Sequence, residues 1–286
     1  MDALTEGYGL IEGPVWVAGR GLMFSDVLGG GVFCLGPDGT VGEVFAHRRG
    51  IGGMSLHANA GMVVSGRNIS YKAFAGGDTV ELLPRDEAAG LVGFNDITTD
   101  SAGRVYAGGL GASPVFADGR EPEAQNLYLI DLDGSSRIVA REILLTNGLG
   151  FSPDGRTLYH SDTSRAAICC YAVSDNGDLG PKQTFATSSL HPDGLAVAED
   201  GSVWVAMAGG SGVVVYNADG SERQHIEIPH PMCTSLCFGG DDLRDLYIVS
   251  GSNGLEGDRR GGVFKVRTEV AGLAVPPARI PLASAG

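Results

Sequence analysis

One phrase, a short apolar strand carrying an aromatic or β-branched pair, occurs six times in this chain of 286 residues, at Met23-Phe24, Val63-Val64, Val105-Tyr106, Leu158-Tyr159, Val203-Trp204 and Leu246-Tyr247. The spacings are 40, 42, 53, 45 and 43 residues. A strand-like run precedes each copy: Pro14 to Ala18, Met54 to Ala58, Asp96 to Thr99, Leu149 to Ser152, Leu195 to Ala198, and Thr234 to Phe238. Another follows: Gly31 to Leu35, Ile69 to Phe74, Asn126 to Ile130, Ala167 to Ala172, Gly212 to Asn217, and Gly262 to Val266. Asp-Gly and Asn-Gly pairs such as Asp38-Gly39, Asp133-Gly134 and Asn176-Gly177 supply the positive φ that tight hairpin turns need. This period matches one four-stranded blade, and six such units leave no linker for a second domain. The expectation is an all-β chain, a six-bladed β-propeller with four-stranded antiparallel blades, as one domain over residues 1–286. A β-sandwich needs strands but not six copies of one phrase. The N-terminal run Leu4 to Leu10 is placed to add an outer strand to the last blade, beside Gly262 to Val266, and latch the ring.

Composition agrees with many short strands and tight turns, with 46 Gly, 13 Pro and no long amphipathic helical stretch. A formal charge of −14 argues against nucleic-acid backbones and anionic membranes as partners, since like charges repel within a Debye length. Oligomeric state is not legible. Five cysteines form no C-x-x-C pair, which reads as reduced thiols rather than a disulfide framework or zinc knuckle. The first residues lack a basic region followed by an apolar stretch, and no apolar run reaches membrane-spanning length, so a cytoplasmic location is expected.

Four blades place an oxygen-bearing side chain just before a short strand-like run: Glu12, Asn95, Asn147 and Asp193. Asn95, Asn147 and Asp193 lie eight residues before Gly103, Gly155 and Gly201, and Glu12 lies nine before Gly21. Taken singly, Asn147-Gly148 and Asp193-Gly194 read as ordinary turns and Glu12 as a solvated strand end. In a propeller, however, the first strands line the central channel, so matched positions converge at one end of it. Carboxylate and amide oxygens there suit a hard divalent cation. The equivalent positions of the other two blades hold Gly52 or Gly53 and Cys233, which suggests an open side for substrate. His191, two residues before Asp193, is placed to reach the channel mouth, and no histidine pair has zinc-ligand spacing.

The segments Glu12-Gly13-Pro14-Val15-Trp16, Phe94-Asn95-Asp96, Asn147-Gly148-Leu149-Gly150-Phe151-Ser152-Pro153-Asp154-Gly155 and Pro192-Asp193-Gly194-Leu195 resemble the gluconolactonase, senescence-marker-protein and regucalcin-like propellers. That resemblance implies one divalent cation held by Glu12, Asn147 and Asp193, with Ca²⁺ first and Mg²⁺, Mn²⁺ or Zn²⁺ as alternatives. It implies Asp193 as general base, and Asn95 as a ligand or a substrate contact; His191 is expected from its place beside Asp193, as an acid or base or a substrate contact at the mouth. The chain departs from the family at Gly93, where many sugar-lactone hydrolases carry an arginine. Arg67 and Arg120 are candidates to replace that donor. Neutral Val92-Gly93-Phe94, with Met54, Met207 and Cys233 expected near the mouth, points to a substrate less polar than an aldonolactone, and the acidic segment Asp118 to Glu123 is a candidate lid.

The function expected is metal-dependent hydrolysis of a small-molecule lactone, in which a cation polarises the carbonyl and Asp193 activates water. Two alternatives remain at this point: a hydrolase of phosphotriesters or other activated esters, and a calcium-binding propeller without catalysis.

Overall fold

The computed structural model describes residues 1–46, 48–116, 119–121 and 123–282. Six four-stranded antiparallel sheets radiate from a central channel, as the sixfold phrase predicts. Their first strands are Ile11–Val17, Met54–His57, Gly93–Thr99, Thr146–Phe151, His191–Val197 and Cys233–Gly239, and each packs against its neighbours around the ring. The repeated phrase forms the second strand of every blade, where burial on both faces explains its continuous apolar character.

The core is a ring of six apolar clusters, one at each junction between blades. Trp204, Leu236, Phe238 and Ile248 fill the junction of the fifth and sixth blades, and Tyr106, Leu127, Leu149 and Leu158 that of the third and fourth. Burying side chains of this size contributes about 1.5–3 kcal/mol each. At the junction closing the ring, Trp16 stacks on Tyr247 with ring centroids 5.4 Å apart.

The N-terminal strand Asp2–Tyr8 pairs antiparallel with Gly261–Arg267, so the last sheet takes its outer strand from the start of the chain. Closure is by the expected segment, shifted two residues toward the N-terminus. The buried Asp26 carboxylate fixes the chain as it leaves that strand, accepting from the amides of Gly9 and Leu10 at 3.3 Å and of Gly29 at 2.9 Å. Residues 268–282, which the repeat leaves unassigned, cross the end of the channel away from Glu12 and Asp193. Leu273 donates to the Val197 carbonyl at 2.9 Å, Ala278 to Leu56 at 2.7 Å and Arg279 to Gly103 at 2.9 Å. All five cysteines are free thiols, and among the described residues no helix is long and apolar enough to cross a membrane.

Candidate active site

Glu12, Asn95, Asn147 and Asp193 do not precede their strands but lie within them, because each first strand starts earlier and is broken by a β-bulge. The register slips between Phe94 and Ile97, between Thr146 and Leu149, and between Pro192 and Leu195, leaving Asn95-Asp96, Asn147-Gly148 and Asp193-Gly194 as doubled residues. In the first blade the slip falls between Glu12 and Val15. It therefore sets in one residue later relative to the oxygen side chain, consistent with Glu12 being nine rather than eight residues from its glycine. A bulge re-aims a side chain that strict alternation would turn into the blade.

All four residues line one cavity of about 710 Å³ at the channel mouth, together with His191. Glu12, Asn147 and Asp193 are buried, Asn95 is half-buried and His191 is exposed. Asn95 Nδ2 donates to the Thr146 carbonyl at 2.7 Å and to Asn147 Oδ1, which leaves Asn95 Oδ1 as an acceptor. Asn147 Nδ2 donates to Thr163 Oγ1 at 2.6 Å, and that hydroxyl donates to the Pro192 carbonyl at 2.6 Å, tying the Asn147 amide to the residue before Asp193. Asn147 is thus oriented with its oxygen toward Asn95.

The two carboxylates stand in the opposite condition. Asp193 Oδ1 is buried without a hydrogen-bond partner, and among the described residues neither Asp193 nor Glu12 forms an ion pair. Burial holds both carboxyls well above the ordinary carboxylate range, Glu12 further raised by repulsion from Asp193 and Asp96, and Asp193 by repulsion from Asp96. Asp96, pushed up to about 7 by burial, faces the cavity at the far end of the channel. Two uncompensated buried carboxylates, one unpartnered oxygen and an oriented amide oxygen form a donor set that fits a hard divalent cation. Among the described residues no three His, Cys, Asp or Glu side chains form a metal cluster by themselves.

Other expectations divide. Arg67 and Arg120 line the cavity, as does Gly93. Of the acidic segment Asp118 to Glu123, Asp118 and Pro122 lie outside the described residues; from the same connection, Pro114, Val115, Phe116 and Arg120 line the cavity. Met54, Met207 and Cys233 are not at the mouth. Met54 faces the far cavity, Met207 is fully buried at the junction of the fourth and fifth blades, and Cys233 is fully buried, its thiol pushed up by burial. The methionine at the mouth is Met232. Gly52 does not simply leave an opening: a Cβ there would collide with Asn95 Oδ1 and stand 3.0 Å from Asn95 Cγ. Its bareness admits Asn95.

Thr163 and Asp96 were not singled out by sequence. Thr163 sits in a single turn, Thr163–Arg165, directly after the second strand of the fourth blade. That position at the mouth end was the only available signal.

Residues 10–252 match the family described as the SMP-30/gluconolactonase/LRE-like region. The chain belongs to this family. Within the SMP-30/gluconolactonase/LRE-like family it is 32% identical over 278 residues to a 6-deoxy-6-sulfogluconolactonase of Pseudomonas putida, covering 93% of each chain. The structure of a gluconolactonase from Xanthomonas campestris superposes with a TM-score of 0.77 at 26% identity, covering 92% of this chain and 89% of that one. A calcium-binding regucalcin from Agrobacterium tumefaciens superposes with a TM-score of 0.84, covering 97% of both chains; at 22% identity it speaks to the fold alone.

Proposed function

We propose that the protein is a divalent-cation-dependent lactonase acting on small sugar-derived lactones, with the reacting ester seated above Glu12, Asn147 and Asp193. The observation that carries this reading is the buried, unpartnered Asp193 Oδ1 beside a second uncompensated carboxylate on the floor of the cavity. The relatives add support, being named for lactone hydrolysis, one of them on a sulfo-substituted gluconolactone.

Glu12, Asn147 and Asp193 are the residues that would hold the cation, with Ca²⁺ favoured by the all-oxygen donor set. When bound, such an ion supplies Lewis-acid polarisation of the ester carbonyl and acidifies water. Asp193 accepts a proton from the water whose oxygen bonds to the carbonyl carbon, and returns it to the ring oxygen as the ester C–O bond breaks, giving the open-chain hydroxy acid. Asn95, with both Nδ2 hydrogens committed, offers Oδ1 as an acceptor for a substrate hydroxyl. His191, exposed on the rim, hydrogen-bonds the substrate from the solvent side. The apolar walls formed by Leu10, Val92, Leu145 and Met232 limit water around the ester.

A pH-stat panel of sugar, alkyl and aromatic lactones, run beside phosphotriesters, tests the reading with wild-type protein and Asp193→Ala. Turnover of sugar lactones that disappears in Asp193→Ala is expected. Turnover confined to phosphotriesters, or undiminished in the variant, overturns it.

A further inference from the structure

The mouth of the cavity is lined by four arginines, Arg49, Arg67, Arg85 and Arg120, in a chain whose net charge is −14. Arg85 and Arg120 both pair with Glu87, at 2.6 and 3.3 Å. Among the described residues, Arg49 and Arg67 make no ion pair or hydrogen bond, and the acidic side chains lining the cavity are Glu12 and Asp193 on its floor. A guanidinium in open solvent needs no partner. Arg49 and Arg67 are both exposed, yet they also border a concave, largely apolar cavity, where low-dielectric walls focus the field of a charge at the rim.

The backbone holds Arg67 in that place. Gly66 exchanges two hydrogen bonds with Phe94, the Phe94 amide donating to Gly66 at 2.7 Å and the Gly66 amide to Phe94 at 3.1 Å. This bridge fastens the second blade's connection onto the third blade's first strand. A Cβ on Gly93 would stand 2.8 Å from the Gly66 carbonyl and 3.7 Å from Arg67 Cα. The glycine at 93, two residues from Asn95, therefore makes room for the Gly66 carbonyl and so for the backbone bridge that leads into Arg67. Arg49 reaches the same rim from the connection between the first two blades, beside Gly50, where a Cβ would touch the Phe116 ring at 3.4 Å.

We propose that Arg49 and Arg67 form an anion subsite at the cavity mouth, and that the substrate is a lactone bearing a carboxylate, sulfonate or phosphate remote from its ester. A neutral sugar hydroxyl is satisfied by any donor. Two unpaired guanidiniums match an oxyanion, which takes charge-assisted, often bidentate bonds from them. The ester then lies toward Asp193 and the anionic group toward solvent, so the charge that repels the floor carboxylates stays at the arginine end. This substrate assignment rests on the lactonase reading; the anion subsite itself does not.

The test measures kcat/KM for gluconolactone and for the same lactone carrying a terminal carboxylate, sulfonate or phosphate, with wild-type protein and the Arg49→Gln/Arg67→Gln variant. The wild type should favour at least one charged lactone by about tenfold or more, and the variant should lose most of that preference. The best of the three charged arms identifies the group. Added sulfate should inhibit the wild type competitively and the variant weakly. Equal rates on charged and neutral lactones, or a preference that survives in the variant, overturns the proposal. If the wild type opens none of these lactones, the lactonase reading has failed, and calorimetric titration of the ring-opened acids decides the subsite separately. Tighter binding of the terminally charged acid that depends on the arginines supports the subsite, and equal binding of charged and uncharged acids overturns it.

Discussion

Replacing Gly148 by alanine is expected to separate the two blades that carry Asn147 and Asp193. A Cβ at position 148 would stand 2.6 Å from the Gly194 carbonyl carbon and 2.8 Å from the Asp193 carbonyl oxygen, with the Leu195 amide nitrogen nearer still. Real Cβ atoms essentially never approach within 3.0 Å, and these obstacles are backbone atoms of the neighbouring first strand, with no rotamer to escape into. The fourth and fifth blades must part by about 0.5–1 Å, an overpacking that costs about 2–3 kcal/mol. For a chain of this size the loss corresponds to roughly 5 °C or more in Tm. A shift of that size between Asn147 and Asp193 should also lower turnover by about 100-fold, since misplacing a catalytic constellation by 1 Å is that costly. Calorimetric unfolding, Ca²⁺ titration and lactone turnover of Gly148→Ala measure these effects. Gly42→Ala serves as control, because a Cβ there meets nothing within 4 Å. A Gly148→Ala protein whose Tm and Ca²⁺ affinity match those of Gly42→Ala would refute the close approach of the two bulges.

Three further outcomes follow from the same structure. Thr163→Val removes the hydroxyl between Asn147 Nδ2 and the Pro192 carbonyl, leaving both without that partner; it should cost about 1–3 kcal/mol in denaturant unfolding and weaken cation binding, visible by calorimetry. In cation-free protein, Asp193→Asn removes one of the mutually repelling buried carboxylates and should raise stability by about 1–2 kcal/mol, whereas with saturating Ca²⁺ the wild type should be the more stable. His160 is fully buried with both ring nitrogens unpartnered, and burial lowers its pKa from 6.5 to about 4. The unfolded chain therefore binds the proton more readily, so stability is retained above pH 6.5 and lost as pH falls toward 4, by up to about 3 kcal/mol; His160→Leu should flatten that part of the stability curve.

The sequence was most legible where burial imposes a pattern. The second strands are buried on both faces, so Val63-Val64 and Val203-Trp204 stand out as apolar runs, and their period alone indicates six blades. The fourth strands left no such mark. Glu222–Glu227 lies at a sheet edge with most of its residues exposed, and a polar edge strand discourages pairing with other chains while hiding its own periodicity. Residues 268–282 were silent because they hold the far end of the channel through single bridges and isolated hydrogen bonds. At the site, residue types and spacing brought Glu12, Asn95, Asn147 and Asp193 to one cavity. They could not reveal the bulges that double residues at these points, so Asp96 was read only as the start of a strand and as a neighbour of Asn95. Met207 was assigned to the mouth although its place in the second strand buries it, while Met232, in the connection ahead of the sixth blade's first strand, faces the cavity at the mouth. Thr163 matters only through contacts that two blades create together.

The central claim is that Glu12, Asn147 and Asp193 hold a divalent cation on which lactone hydrolysis depends. The direct measurement is a Ca²⁺ titration of chelator-stripped protein, following bound heat and sugar-lactone turnover in parallel for wild type and Asp193→Ala. The account predicts no turnover in the stripped wild type, recovery that tracks the filling of a single site, and neither binding at that site nor recovery in Asp193→Ala. Full turnover in stripped protein, or undiminished Ca²⁺ binding by Asp193→Ala, would contradict it.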